Sequence, residues 1–126
     1  MHEENIIIKT NNGNLDSRIF ITDKQNNPFI IFYMDAPAIR EELRDMCRKI
    51  ASKNYNVILP NLFYRVGTEG NYPFNQVTYK NDKKELDKMI STMNNTSNKM
   101  VAEDTKYILK YISKNFSNNK KIGIVG

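Results

Sequence analysis

The stretch Phe29-Ile30-Ile31-Phe32-Tyr33-Met34 is apolar along its whole length, without alternation of polar and apolar residues. A strand has this pattern when both of its faces are covered, as in a parallel sheet between helices. A second short run of the same kind, Asn56-Val57-Ile58-Leu59-Pro60, follows within about 30 residues. The two runs therefore predict two buried strands of an α/β domain.

The segment between the two runs has the pattern of a helix. Asp35-Ala36-Pro37 breaks the first strand, and proline is favoured in the first turn of a helix. Apolar residues then recur at helical spacing, at Ile39, Leu43, Met46, Cys47, Ile50 and Ala51. We therefore expect a helix that Pro37 opens, within a βαβ unit whose crossover is right-handed.

Further elements are predicted on both sides of this unit. Residues 6–10 and 15–23 are strand-like and flank Asn12-Gly13, which is a strong hairpin signal. Helical spacing predicts a short helix around residues 86–93 and a longer one over residues 101–116. The predicted fold class is therefore α/β, with an amino-terminal antiparallel hairpin followed by parallel βαβ units.

The chain's last six residues, Lys121-Ile122-Gly123-Ile124-Val125-Gly126, have the pattern of one more short buried strand that ends in a glycine. In parallel α/β sheets, ligand sites form at the carboxyl ends of the strands. Here those ends are residues 35–36, residues 61–65 and Gly126. These three places are the candidate site.

The composition narrows the function classes. The chain has 126 residues, of which 40% are apolar and 26% charged, which is typical of one globular domain. Its net charge is +5, but the basic residues alternate with acids, as in residues 40–45, so no nucleic-acid partner is expected. No secretory signal or membrane-spanning stretch is visible, which predicts a cytoplasmic location and no membrane partner.

No metal site or cofactor site is expected either. Cys47, the only cysteine, lies on the apolar stripe of a predicted helix, where a thiol is usually buried and inert. The only histidine, His2, lies near the amino terminus. One Cys and one His cannot supply a His/Cys ligand set. Residues 123–126 lack the Gly-Lys-Ser/Thr ending of a phosphate-binding loop.

The strand ends and their surroundings resemble the amino-terminal half of the dienelactone hydrolases, which are α/β-hydrolase-fold enzymes. The similarity runs from about residue 5 to 126, and residues 57–65 are its most specific part. The segments that carry it are residues 13–20, 28–31, 34–40, 43–46 and 54–65. The resemblance implies that residues 1–126 are the amino-terminal part of one α/β-hydrolase domain, truncated at the nucleophile elbow.

The resemblance also implies roles for individual residues. Gly126 matches the first glycine of the elbow, Gly-x-Cys-x-Gly or Gly-x-Ser-x-Gly, so the nucleophile would lie two places beyond it. The backbone N–H of Ala36 would donate to an oxyanion. Asp35 would lie near the nucleophile, where the best-known members of the family carry Glu. The alternative for Asp35 is that it caps the helix opened by Pro37.

Arg65 ends the run Asn61-Leu62-Phe63-Tyr64-Arg65. By resemblance, its forked guanidinium would bind a substrate carboxylate. The alternative is an arginine paired with a nearby acid such as Glu69.

These observations lead to two main hypotheses. The first is a fragment of an ester or lactone hydrolase that acts through a Cys or Ser acyl-enzyme; this chain by itself would be inactive, because it lacks the nucleophile, the triad acid and the triad histidine. The second is a non-catalytic interaction domain, or half of a split hydrolase, that docks onto a separate carboxyl-terminal chain. A flavodoxin-like binding domain is a weaker third hypothesis, since no phosphate-binding loop follows either buried strand.

Overall fold

The computed structural model describes residues 1–22, 26–116 and 121–126. In this part of the chain, the elements follow one another as a hairpin and then alternating strands and helices. They are β1 (His2–Thr10), β2 (Gly13–Ile21), β3 (Phe29–Phe32), α1 (Glu41–Ala51), β4 (Asn56–Pro60), α2 (Lys83–Asn94), α3 (Asn98–Asn115) and β5 (Ile122–Val125).

The strands form one mixed sheet in the order β1-β2-β4-β3-β5. β2 pairs antiparallel with both β1 and β4, whereas β3 pairs parallel with β4 on one side and with β5 on the other. An antiparallel hairpin therefore precedes parallel units, which confirms the predicted fold class. The carboxyl ends of β3, β4 and β5 consequently meet at one edge of the sheet.

The hairpin turn lies one residue before the predicted position. Thr10 pairs with Gly13, so the two-residue loop is Asn11-Asn12, and the Thr10 hydroxyl accepts the Asn12 N–H at 3.0 Å. Gly13 has a φ of 136°, which only glycine adopts readily. β2 ends at Ile21, and the end predicted at residue 23 lies outside the described residues.

Helices cover both faces of the sheet, as the lack of polar and apolar alternation in residues 29–34 and 56–60 predicted. Phe29 and Ile31 point to one face and pack with Ile108 and Ile112 of α3. The other face is covered by α1 through a second cluster, which consists of Phe20, Phe32, Ile39, Leu43, Cys47, Ala51, Val57 and Leu59. The predicted stripe of α1 is therefore confirmed, except that Met46 is exposed.

The start of α1 was predicted wrongly. The helix begins at Glu41 and not at Pro37, because Ala38 has a left-handed φ of 68° and Arg40 is extended, with a φ of −153°. Residues 35–40 therefore form a separate turn between β3 and α1.

α2 and α3 have regular starts. The Asp82 carboxylate accepts the Lys84 N–H at the start of α2, and the Ser97 hydroxyl accepts the Met100 N–H at the start of α3. None of the helices described is long and apolar enough to cross a membrane.

β5 is an edge strand with exposed side chains, and the expectation of a buried strand is wrong for this chain. β3 pairs with it on one side, and within the described residues no strand pairs with it on the other. Ile122, Ile124 and Val125 are 41%, 62% and 40% exposed. An unpaired apolar edge of this kind invites pairing with another chain.

Candidate functional site

The end of β5 lies directly beside the end of β3. The Tyr33 N–H donates to the Val125 carbonyl at 2.8 Å, which places Gly126 against Tyr33. Gly126 has a φ of 132°, and a Cβ there would lie 2.5 Å from the Tyr33 carbonyl oxygen. Both its conformation and its surroundings therefore require glycine at this strand end.

The turn that follows β3 brings Asp35 and Ala36 to the same edge. The Ala38 N–H donates to the Asp35 carbonyl at 2.9 Å and closes the turn, with Ala36 in its second position. Among the described residues, the Ala36 N–H has no hydrogen-bond acceptor. The Ala36 N–H is therefore available as a donor in this part of the structure.

Asp35 does not cap a helix, so the alternative based on a helix opened by Pro37 is wrong. Its carboxylate accepts two hydrogen bonds from Arg40, at 2.6 and 3.2 Å, and Arg40 is itself the residue that precedes α1. The hydrogen bond to Asp35 raises the pKa of Arg40 above its ordinary value. The ion pair spans the turn and joins its first residue to its last.

An apolar and aromatic cluster packs against the turn. Ala36 and Ala38 lie in this cluster, together with side chains of the long loop at residues 61–82 and of α2. Phe63 contacts Tyr72 and Phe74 edge-on, and the last two rings stack 5.6 Å apart. The loop is therefore an ordered wall of the candidate site.

Arg65 is held by a buried acid that the sequence analysis did not single out. Its two terminal nitrogens donate to Asp104 of α3 at 3.0 and 2.9 Å, and Asp104 is 1% exposed. The Tyr64 hydroxyl donates to Asp104 at 2.8 Å, and the Arg65 guanidinium lies 4.7 Å from the centre of the Tyr64 ring. Arg65 is therefore paired with an acid, as the alternative predicted, but the acid is Asp104 and not Glu69.

Glu69 instead belongs to a separate network of ion pairs. It accepts hydrogen bonds from Arg18 and Arg44, at 3.2 and 2.8 Å respectively, while Arg48 binds Glu3 and Asp45. Glu69 and the three arginines line a cavity of about 740 Å³ to which residues 33–40 and Gly126 do not contribute. Because each of its arginines is already paired with carboxylates, this cavity is not a ready site for an anion.

α3 joins the two strand ends through consecutive residues. Asp104 holds Arg65 beyond β4, and the hydroxyl of Thr105 lies 2.7 Å from that of Tyr33 beyond β3. Asp104 could have been found from the sequence, because it falls at helical spacing between Val101 and Ile108, on the apolar face of its helix. An acid at such a position requires a partner.

The two residues considered for nucleophilic or metal chemistry lie elsewhere. Cys47 is fully buried on the inner face of α1, and burial raises the pKa of its thiol to about 12, so it is an inert core residue. His2 is exposed and lies 3.4 Å from Glu4. In the described ranges, no group of three or more His, Cys, Asp or Glu side chains is placed to hold a metal ion.

Comparisons with known proteins concern the family and the fold of this chain. A family model described as "Dienelactone hydrolase family" matches residues 15–126. Among solved structures, the chain is similar to "Putative Dienelactone Hydrolase from Klebsiella pneumoniae subsp. pneumoniae MGH 78578", with a TM-score of 0.69 and 16% identity. The match covers 98% of this chain and 48% of that one, so this chain spans about half the length of that structure. No curated protein matches the chain.

Proposed function

This chain belongs to the dienelactone hydrolase family, and we propose that it is the amino-terminal part of a hydrolase of carboxylic esters or lactones. In that hydrolase, a Cys or Ser nucleophile would attack the substrate carbonyl and form an acyl-enzyme, which water then cleaves. The nucleophile and the other two triad residues would come from polypeptide outside residues 1–126. The substrate would be a small molecule, and the proposed reaction would use no cofactor.

One juxtaposition carries this proposal. The free N–H of Ala36 and the glycine conformation of Gly126 lie at neighbouring strand ends, joined by the hydrogen bond from Tyr33 to Val125. A nucleophile two places beyond Gly126 would start on the sharp turn of an elbow. The tetrahedral oxyanion formed by its attack would then receive the Ala36 N–H, whose position the turn fixes before the reaction.

Asp35 and Arg65 have supporting roles in the proposal. Asp35 would lie near the nucleophile, where Arg40 holds its carboxylate in place. Arg65 would bind a carboxylate of the substrate. Each of its terminal nitrogens carries two hydrogens, so the pair with Asp104 leaves further N–H donors for a ligand.

The purified 126-residue chain is expected to release no p-nitrophenolate from p-nitrophenyl acetate above the rate in buffer, because the proposal places the triad outside residues 1–126. The complete reading frame that encodes this segment is expected to hydrolyse the same ester and to form a trapped acyl-enzyme, visible by mass spectrometry. If that product neither turns over esters nor becomes acylated, the hydrolase proposal fails. If the 126-residue chain does turn over the ester, and a substitution within the chain abolishes that turnover, the prediction that the triad lies outside residues 1–126 is wrong.

The exposed edge of β5 supports a second candidate function, in which the chain docks onto a separate carboxyl-terminal half. An added strand would pair with the open backbone groups of β5 and cover Ile122, Ile124 and Val125.

Without such a partner, we expect the chain to self-associate through this edge, and Ile124→Lys to shift it toward monomer in sedimentation velocity. A charged side chain on an edge strand opposes pairing. Val77→Lys is the matched control, because Val77 is 82% exposed in the long loop and outside β5. A wild-type chain that is monomeric and melts cooperatively would instead indicate a self-contained domain.

A further inference from the structure

The turn at residues 35–40 holds a conformation that its own sequence does not favour. Ala38 is fully buried and has a φ of 68°, a left-handed value that alanine rarely adopts. Strain of this kind persists only where surrounding contacts impose it. The contacts that impose it here must therefore come from outside the turn as well as from within it.

One side chain of the long loop bridges the two carbonyls that flank Ala38. The Gln76 side-chain amide donates to the Pro37 carbonyl and to the Ile39 carbonyl, both at 2.8 Å. The carbonyl of Ala38 itself accepts from Arg40 at 2.9 Å. A change of Ala38 to an ordinary negative φ would reorient these carbonyls, so it would break the contacts with Gln76.

Gln76 is itself held firmly on both sides. Phe74 is buried in the aromatic cluster, and the Asn75 N–H donates to Glu85 at 3.0 Å. The Asn75 side chain then accepts the N–H groups of Val77 and Thr78, at 2.8 and 3.0 Å, and closes a tight local turn. Gln76 therefore projects toward residues 37–39 from a fixed backbone.

We propose that Gln76 is a positioning residue that holds Ala38 in its left-handed conformation and thereby fixes the direction of the Ala36 N–H. Ala36 is the second residue of the turn that the Ala38 N–H closes on Asp35, so the two conformations are linked. The long loop would in this way control the oxyanion donor without touching the substrate. The catalytic part of this inference rests on the proposed function. The support of Ala38 by the two hydrogen bonds of Gln76 does not depend on it, because it involves only residues 35–40 and 76.

The test is a double-mutant cycle on the full 126-residue chain, read by amide hydrogen exchange at position 38. Gln76→Met keeps the shape of the side chain and removes its donors. It is expected to lower the protection of the Ala38 N–H by about tenfold, because the strained conformation loses its support. In the Ala38→Gly background, Gln76→Met is expected to lower the protection of the N–H at position 38 by about twofold or less, since glycine adopts a positive φ without strain.

The control is Val77→Ala, which changes the exposed neighbour of Gln76. It should leave the hydrogen-exchange protection of the Ala38 N–H unchanged. If Gln76→Met lowers protection equally in the wild-type background and in the Ala38→Gly background, Gln76 only anchors the loop and the proposal is wrong. Unchanged protection in both backgrounds also overturns it. Neither result depends on catalysis. The role of Gln76 in holding Ala38 can therefore be correct even if Ala36 has no role in the reaction, and it can be wrong while the hydrolase proposal holds.

Discussion

Replacement of Ala36 by proline is expected to lower the kcat of the proposed full-length hydrolase by about 10²- to 10³-fold, the usual effect of removing one oxyanion donor. Proline has no N–H, so the substitution deletes the donor while it keeps an apolar side chain against the aromatic cluster. Ala36 has a negative φ and occupies the second position of the turn from Asp35 to Ala38, where proline is favoured. The turn should therefore survive the change, and steady-state kinetics on an ester substrate measure the loss.

The matched control for this experiment is Ala36→Ser, which keeps the N–H and adds only a hydroxyl. It should retain most of the wild-type kcat. KM should change little in either variant. Thermal melting followed by circular dichroism establishes that both variants are folded. A proline variant that is folded and keeps the wild-type kcat would remove Ala36 from the reaction.

The substitution Asp104→Ala is expected to lower the free energy of unfolding of the 126-residue chain by about 3 kcal/mol, measured by urea denaturation. Loss of one partner of a buried ion pair is costly because the other charge stays without compensation. Here the change deprives Arg65 of both its carboxylate contacts and the Tyr64 hydroxyl of its acceptor. The Thr10 hydroxyl, 2.9 Å from that of Tyr64, offsets only a part of this loss.

Glu103→Ala is the control for Asp104, since it removes a neighbouring, exposed carboxylate of the same helix and should change stability by less than about 0.5 kcal/mol. The double variant Asp104→Ala with Arg65→Met should recover a large part of the lost stability, because no unpaired charge remains. Equal effects of Asp104→Ala and Glu103→Ala would show that the pair with Arg65 contributes nothing to stability.

The sheet and its helices were predictable because their signals are local. The runs that became β3 and β4 lack alternation because both faces of the sheet are covered, and the stripe of Leu43, Cys47 and Ala51 packs where its spacing indicated. The resemblance at residues 57–65 likewise led to the family whose model matches the chain. The roles of Ala36, Asp35, Arg65 and Gly126 in catalysis remain predictions.

The errors arose where distant contacts override local preference. Pro37 suggested a helix start, but Gln76 of the long loop binds the carbonyls on both sides of a left-handed Ala38 that lies between Pro37 and α1. The partner of Arg65 is Asp104, which lies far along the chain, and not Glu69, which is near in sequence. β5 has the apolar composition of a buried strand, yet burial depends on a neighbouring strand, and among the described strands only β3 pairs with β5.

The position of β3 has a consequence for how the chain folds as it is made. β3 lies between β4, which follows it closely in sequence, and β5, the last of the described strands to be synthesised. Synthesis proceeds at about 5–20 residues per second, so the edge of β3 that β5 covers stays open for several seconds on each ribosome. Phe29, which later packs against Phe116, lies on that strand. The pairing of β3 with β5 is therefore the last strand pairing of the described sheet that can form during synthesis.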